Sequence, residues 1–262
     1  GRVLALPMKR LSALATPCEG QIGAPQEVGQ FDIQDGGGSA DADALGTILT
    51  ACSFAVTNSS NIKSLALFDG STNIGEITTV GATASFSGLT LTAPDNGSKT
   101  FSVRATFKSV VTDNQQISFA LSAATASGSG SGFAVSNAGG AITSTAGDNN
   151  RIEVVTTDVL FVQNVSIVAQ NSVMNPSPTV RAVDSNNNYD LDNTSNVVVT
   201  INSGSTIFDA SATTTVTMIG GIATFSNLIF STPATSNNLI ATQGSFTDLS
   251  SSFEACCSSL LN

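Results

Sequence analysis

The residues with the clearest chemical spacing are Asp184-Ser185-Asn186-Asn187-Asn188-Tyr189-Asp190-Leu191-Asp192. Oxygen-bearing side chains stand at alternate positions. Asp184, Asn186, Asn188, Asp190 and Asp192 therefore form a candidate calcium set, since Ca²⁺ takes roughly six to eight oxygen ligands. The run lacks the glycine and the distal Glu of an EF-hand. Asn and Asp also favour turns unaided, so an ordinary inter-strand turn competes with the ion site. A second acidic group, Asp32, Asp35, Asp41 and Asp43, flanks Gly36-Gly37-Gly38 and reads first as a solvated loop. The four cysteines, Cys18, Cys52, Cys256 and Cys257, show no C-x-x-C spacing. They read as disulfide candidates or buried thiols rather than zinc ligands. A link from Cys18 to one of the adjacent pair would tie the chain ends together. No cofactor other than calcium is expected.

Composition excludes more than it offers. The 262 residues contain no His and no Trp, and a single Tyr. Without imidazole there is no Ser-His-Asp or Cys-His catalysis, no His-ligated zinc and no pH switch near neutrality. The absence of Trp and the lone Tyr189 leave carboxylate pairs without the aromatic platforms on which sugars stack. The glycine-rich stretches lack a following Lys and a strand-to-helix context, so they are not phosphate loops. Lys and Arg number 9 against 19 Asp and Glu, a net charge of −10. Nucleic acid needs clustered positive charge, so it is not an expected partner. Three of the nine cations, Arg2, Lys9 and Arg10, fall in the first ten positions. No apolar run approaches the length of a membrane-spanning helix.

The elements that must position these residues read as strands. Hydrophobic residues make up 41% of the chain and include 14 Phe. They are interleaved with β-branched residues, Ser, Asn and Gly, a mixture suited to pleated, half-buried surfaces. From about Phe31 strands are expected at 48–56, 64–68, 75–80, 84–91, 100–107 and 116–121. The period-two alternation of Phe101, Val103, Ala105 and Phe107 predicts one buried and one wet face. A Ser/Gly/Ala-rich stretch over 127–150 has linker composition. A second series follows at 160–162, 179–183, 197–201, 216–219, 223–228, 238–242 and 249–253. Ala84-Ser85-Phe86-Ser87-Gly88-Leu89-Thr90-Leu91-Thr92-Ala93-Pro94 echoes Ala223-Thr224-Phe225-Ser226-Asn227-Leu228-Ile229-Phe230-Ser231-Thr232-Pro233. In both copies a Phe and the Leu three residues later are placed on a strand. Short strands with regular turn signals predict an all-β fold of two tandem immunoglobulin-like β-sandwich domains. The expected bounds are an N-terminal segment 1–29, a first domain 30–126, a linker 127–150, a second domain 151–254 and a tail 255–262.

The stretch from Phe31 to Leu45, with Ala66-Leu67-Phe68-Asp69-Gly70, Ala93 to Phe101 and Thr145 to Val154, resembles repeats of very large secreted surface proteins of Bacteroidota. Residues 151–254 resemble the bacterial immunoglobulin-like module that often follows such repeats. The matching pieces there are Val180 to Asn188 and Gly221 to Leu228. The resemblance implies an exported protein at the cell surface or outside it, often sent through type IX secretion. It implies a stalk, adhesin segment or filament subunit, and an ordinary inter-strand turn at 184–192.

These observations lead to an expected non-enzymatic structural subunit that associates with copies of itself, head to tail. The segments expected to make that contact are the ends of the chain, with Val3, Leu4, Leu6, Lys9, Arg10, Leu11, Leu14, Leu260 and Leu261 as candidates. Packing of each end on its own domain is the competing expectation. So are an adhesin or stalk that binds surface glycan or protein through loops, and a non-catalytic module of a larger secreted protein. The start at Gly1 without Met reads as a processed product or a piece of a longer chain.

Overall fold

The structure, a computed structural model, describes residues 25–36, 42–133, 151–164 and 167–256, together with the backbone of 2–5 and 14–15. It divides into two compact units, one of residues 1–111 and 115–152, the other of residues 112–114 and 153–262. Apart from short 3-10 turns, every regular element among the described residues is a β-strand. Among the described residues, no helix is long and apolar enough to cross a membrane.

The first unit contains β1 (Arg2–Ala5), β2 (Leu14–Ala15), β3 (Gln26–Gln34), β4 (Ile48–Val56), β5 (Ile62–Asp69), β6 (Thr72–Ile77), β7 (Thr83–Thr92), β8 (Ser98–Phe107) and β9 (Phe119–Ala126). Their antiparallel pairings make a five-stranded sheet in the order β1-β3-β8-β5-β6 and a three-stranded sheet β7-β4-β9. The strand β2 pairs with β10 (Ile152–Glu153). One apolar core joins the two larger sheets. Phe31 of β3 stacks on Phe101 of β8 at 5.7 Å and meets Phe54 of β4 edge-on at 6.0 Å, across the layers. Such pairs prefer offset or edge-to-face geometry because of the ring quadrupole.

The strand β3 starts at Gln26, ahead of the domain start read from the sequence, because Val28 is already fully buried. In β7, Phe86 and Leu89 are both buried although they are three residues apart. A regular strand would send them to opposite faces. A register shift opposite Leu49–Ala51, with Gly88 at φ 68°, absorbs the extra residues and restores the inward face for Leu89 and Leu91. The strand β8 departs from the simple alternation. Its inward face is Phe101, Val103, Ala105 and Phe107, as the pattern predicts, but Ser102 and Thr106 on the other face are also buried. That face is covered rather than wet: Ser102 donates to Glu27 at 3.1 Å, and the Arg104 guanidinium lies 4.2 Å above the Phe68 ring.

The start of the stretch with linker composition is packed on this unit. Ser127 N–H donates to Ile48 O at 2.7 Å, and Ser131, itself buried, donates through its hydroxyl to Asp43 at 2.6 Å. A Cβ on Gly130 would come within 2.6 Å of Gly46 O, so the small residues that suggest a flexible linker permit a close backbone approach instead. Residues 134–150 lie outside the described residues.

The second unit contains β11 (Asp158–Gln163), β12 (Val168–Ala169), β13 (Thr179–Val183), β14 (Asn196–Ser203), β15 (Thr215–Thr217), β16 (Ile222–Thr224), β17 (Ala234–Gln243), β18 (Phe246–Leu249) and β19 (Phe253–Cys256). One sheet runs β11-β13-β16, the other β12-β19-β17-β14-β15, with β18 also paired to β17. Phe230 is fully buried between Phe208 at 5.1 Å and Phe253 at 5.2 Å. The echo of β7 keeps its buried positions here, as Phe225, Leu228 and Phe230. Its backbone differs. The strand ends at Thr224 and Ser226-Asn227 form a turn, so Phe225 and Leu228 enter the core from a loop, not from the strand the sequence suggested.

Candidate functional site

The strand β13 and the short connection after it position the alternating Asp/Asn run. Asp184 closes this connection on itself. Its Oδ1 accepts the backbone N–H groups of Asn186 at 2.9 Å and Asn188 at 2.8 Å, and its Oδ2 accepts the Asn188 side-chain amide at 2.9 Å. Asn187 adopts φ 62°, a left-handed conformation that Asn tolerates, and Val183 bridges Tyr189. The Arg181 guanidinium stacks 4.1 Å above the Tyr189 ring. Asp184, Asn186 and Asn188 thus form a side-chain-closed turn, the competing expectation at this position.

Asp190 and Asp192 are directed elsewhere. Asp190 Oδ2 accepts the Thr156 N–H at 3.1 Å and the Thr156 hydroxyl at 2.5 Å. Its Oδ1 is buried and has no hydrogen-bond partner. Asp190, the exposed Asp192 and the buried Asp113 each present one carboxylate oxygen, and the three oxygens lie within 4.8 Å of one another. Asp113 Oδ1 accepts Val154 N–H at 2.8 Å, and its Oδ2 accepts Leu191 N–H at 2.7 Å. The structure therefore does not gather the five residues of the alternating run at one point. It joins two of them to Asp113, a residue the sequence reading missed. Asp113 is separated from them by more than 70 positions, and no local spacing signals it. Gly221, at φ 70°, holds the turn from the other side: a Cβ there would fall on the Asp190 carbonyl oxygen.

The second acidic group is built into the first unit. Asp35 is buried, accepts the Thr47 hydroxyl at 2.5 Å and the Asn96 N–H at 3.0 Å, and donates its own N–H to Gly97 O at 2.8 Å. Burial pushes its carboxyl up, but hydrogen bonds from Thr47, Asn96 and Ser131 outweigh that and hold it below the ordinary carboxylate value. Asp43 accepts Leu45 N–H at 2.9 Å, and Asp32 accepts the Thr100 hydroxyl at 2.6 Å. Asp35 is thus a buried fastener, whereas Asp43 lies in an exposed stretch at 42–45 and Asp32 is half-buried. Asp41 lies outside the described residues.

Among the cysteines, Cys52 is a free thiol in the first core, where burial pushes it up to about 12, and Cys256 is a free, half-buried thiol. For Cys52 a disulfide is not formed, because its strand turns it into an apolar interior. Cys18 and Cys257 lie outside the described residues.

The terminal candidates divide similarly. Val3 and Leu4 lie on β1, which pairs antiparallel with β3 of the same chain, Val3 opposite Ile33 and Leu4 opposite Asp32. Leu14 lies on β2. Leu6, Lys9, Arg10, Leu11, Leu260 and Leu261 lie outside the described residues.

No family model matches the chain, and no curated protein matches it. Solved structures show distant likenesses. A β-glycosidase from Bacteroides vulgatus aligns at 10% identity over 88% of this chain and 25% of its own, with a TM-score of 0.31. A β-glucuronidase from glycoside hydrolase family 2 aligns at 15% identity over 89% of this chain and 20% of its own, TM-score 0.32. The BSP domain of a biofilm associated protein aligns at 12% identity over 98% of this chain and 51% of its own, TM-score 0.28. The chain spans a quarter or less of the two hydrolases. At these scores the likenesses carry no functional weight, and the reading rests on the residues described above.

Proposed function

We propose that this chain is a structural subunit of an extracellular or cell-surface assembly, built from two immunoglobulin-like sandwich domains in tandem, and that it joins copies of itself by passing β1 to β3 of the next copy. The observation that carries the reading is the pairing of β1 with β3. A four-residue terminal strand occupies the outer edge of the five-stranded sheet and supplies that edge with hydrogen bonds. An uncovered β3 edge would expose a row of unpaired N–H and C=O groups, which another strand satisfies equally well. Exchange of the same strand between copies preserves every bond, so it costs little. Head-to-tail exchange whose rotation does not close a ring yields fibres.

The chemistry of the rest of the chain supports a passive role. Without His there is no imidazole base, and the Asp184 and Asp209 carboxylates are used to close turns. The low density of charge allows subunits to pack with little desolvation of ions.

A crosslinking experiment tests the reading. Leu4→Cys and Asp32→Cys are introduced together in a background without the native cysteines, and the protein is oxidised at high concentration. The expected product is a covalent ladder on a non-reducing gel, with filaments in electron micrographs that are lost on deletion of residues 1–15. A monomeric, intramolecularly linked product without filaments overturns the proposal and favours the adhesin or stalk reading, which surface and glycan binding would then test.

A further inference from the structure

The turn 190–192 and the segment 112–114 hold a feature that the assembly reading does not use. Three carboxylates, from Asp113, Asp190 and Asp192, bring oxygens within 4.8 Å of one another. Asp190 is 93% buried by its 7% exposure, yet its Oδ1 accepts no hydrogen bond. Two further buried oxygens without partners belong to the same network. Asn114 Oδ1 is one: the Asn114 amide donates to Asp113 at 3.1 Å while its own oxygen is unmatched. Gln243 Oε1 is the other: the Gln243 amide donates to Asn193, which in turn donates to Thr156 at 2.7 Å and reaches Asp190. Three of the four buried, unpartnered side-chain polar atoms among the described residues are therefore acceptor oxygens of this one network.

Buried polar atoms are almost always paired, and an ionised oxygen left unpaired is among the most costly exceptions. The arrangement is not explained by turn closure. Asp184 shows what that looks like here, with both oxygens used by the loop's own donors. Asp190 uses one oxygen, leaves the other without a donor, and stands in one cluster with two more carboxylates. Like charges this close repel, and a cation between them reverses the sign of the interaction. The donor set is three hard carboxylate groups, two buried and one exposed. That set suits Ca²⁺, which accepts many oxygens in flexible geometry, better than a transition metal that favours nitrogen or sulfur.

We infer that Asp113, Asp190 and Asp192 form a calcium site in the second unit, and that the ion clamps the segment 112–114 to the turn 190–192. The inference does not depend on strand exchange, and it departs from the alternating spacing of 184–192, because the third carboxylate comes from a remote stretch of chain.

The test exploits composition. The chain has one Tyr and no Trp, and that Tyr189 adjoins Asp190 in sequence, so terbium luminescence excited through tyrosine reports an ion near this turn. The intact chain, stripped with a chelator, is titrated with Tb³⁺, with Ca²⁺ as competitor, and with Ca²⁺ alone by calorimetry. The expected results are one Ca²⁺ per chain, Tyr-sensitised emission displaced by Ca²⁺, and a raised melting temperature with Ca²⁺. Asp192→Asn, at an exposed position, is expected to weaken Ca²⁺ at least about tenfold, because affinity follows ligand charge. Asp184→Asn is expected to retain the site. The inference is overturned if the intact chain binds no Ca²⁺ at millimolar concentration. It is equally overturned if Asp192→Asn binds like the parent, or if Asp184→Asn alone abolishes binding.

Discussion

The Asp113 carboxylate accepts the backbone N–H of Leu191 at 2.7 Å, joining two stretches of chain that are 78 residues apart. Its other oxygen accepts the N–H of Val154, a fully buried residue, at 2.8 Å. Asp113→Ala leaves both amides without an acceptor. Hydrogen bonds to charged groups contribute more than neutral ones, so the expected loss is about 2–4 kcal/mol. Urea unfolding followed by far-ultraviolet circular dichroism measures it. Asp113→Asn keeps one acceptor oxygen and is expected to lose less. Equal stability of Asp113→Ala and the parent would show that the two amides find other partners.

Acid stability is expected to depend on Asp35. Its carboxyl is held below the ordinary value, so the folded state binds the proton less readily than the unfolded state does. The stability it contributes is present above the ordinary carboxylate value of 3.8 and is lost as pH falls below that, through the folded value. Thr47→Val removes the donor at 2.5 Å and moves the carboxyl up. The variant is expected to be less stable than the parent at neutral pH, with the gap closing in strong acid, where both carry a protonated Asp35. Unfolding midpoints across the acid range check this, and a gap independent of pH would contradict it.

Cys52 gives an alkaline counterpart. Burial raises its thiol from 9.0 to about 12, so it stays protonated in the fold under ordinary conditions. The folded state then holds the proton more tightly than the unfolded state. The stability from this group is complete below about 9 and declines as pH rises toward about 12. The thiolate is the reactive form, so an aromatic disulfide reagent is expected to label Cys52 only as fast as the first unit opens. Rapid stoichiometric labelling of Cys52 in the native protein, mapped by mass spectrometry, would contradict the buried placement.

Several elements were legible because their signal is local. The strand 48–56 and the strand 179–183 coincide with β4 and β13, where apolar and β-branched residues run between clear turn residues. The buried positions of the repeated segment were legible too, since Phe, Leu and Phe or Leu recur at the same offsets. The backbone that delivers them was not. Gly88 buries Leu89 through a bulge, whereas the corresponding Asn227 sits in a turn, and both solutions serve the same apolar demand. The Ser/Gly segment after β9 misled for a related reason. Small residues suit a flexible tether and a close backbone approach alike, and only the neighbouring Gly46 and Asp43 distinguish the two.

By itself the sequence determined the all-β character, the alternating placement of most core residues, and the lack of imidazole chemistry. These follow from residue types and from periodicities of a few positions, which are local properties of the chain. The tertiary structure alone decided which carboxylates meet. It gave Asp184 to its own turn, Asp35 to Thr47 and Asn96, and Asp190 with Asp192 to Asp113. Such pairings depend on where remote strands lie beside one another, and a carboxylate carries no mark of its distant partner. The same holds for β1, whose apolar residues suggest a contact but whose partner edge, β3, is set by the order of strands in the sheet.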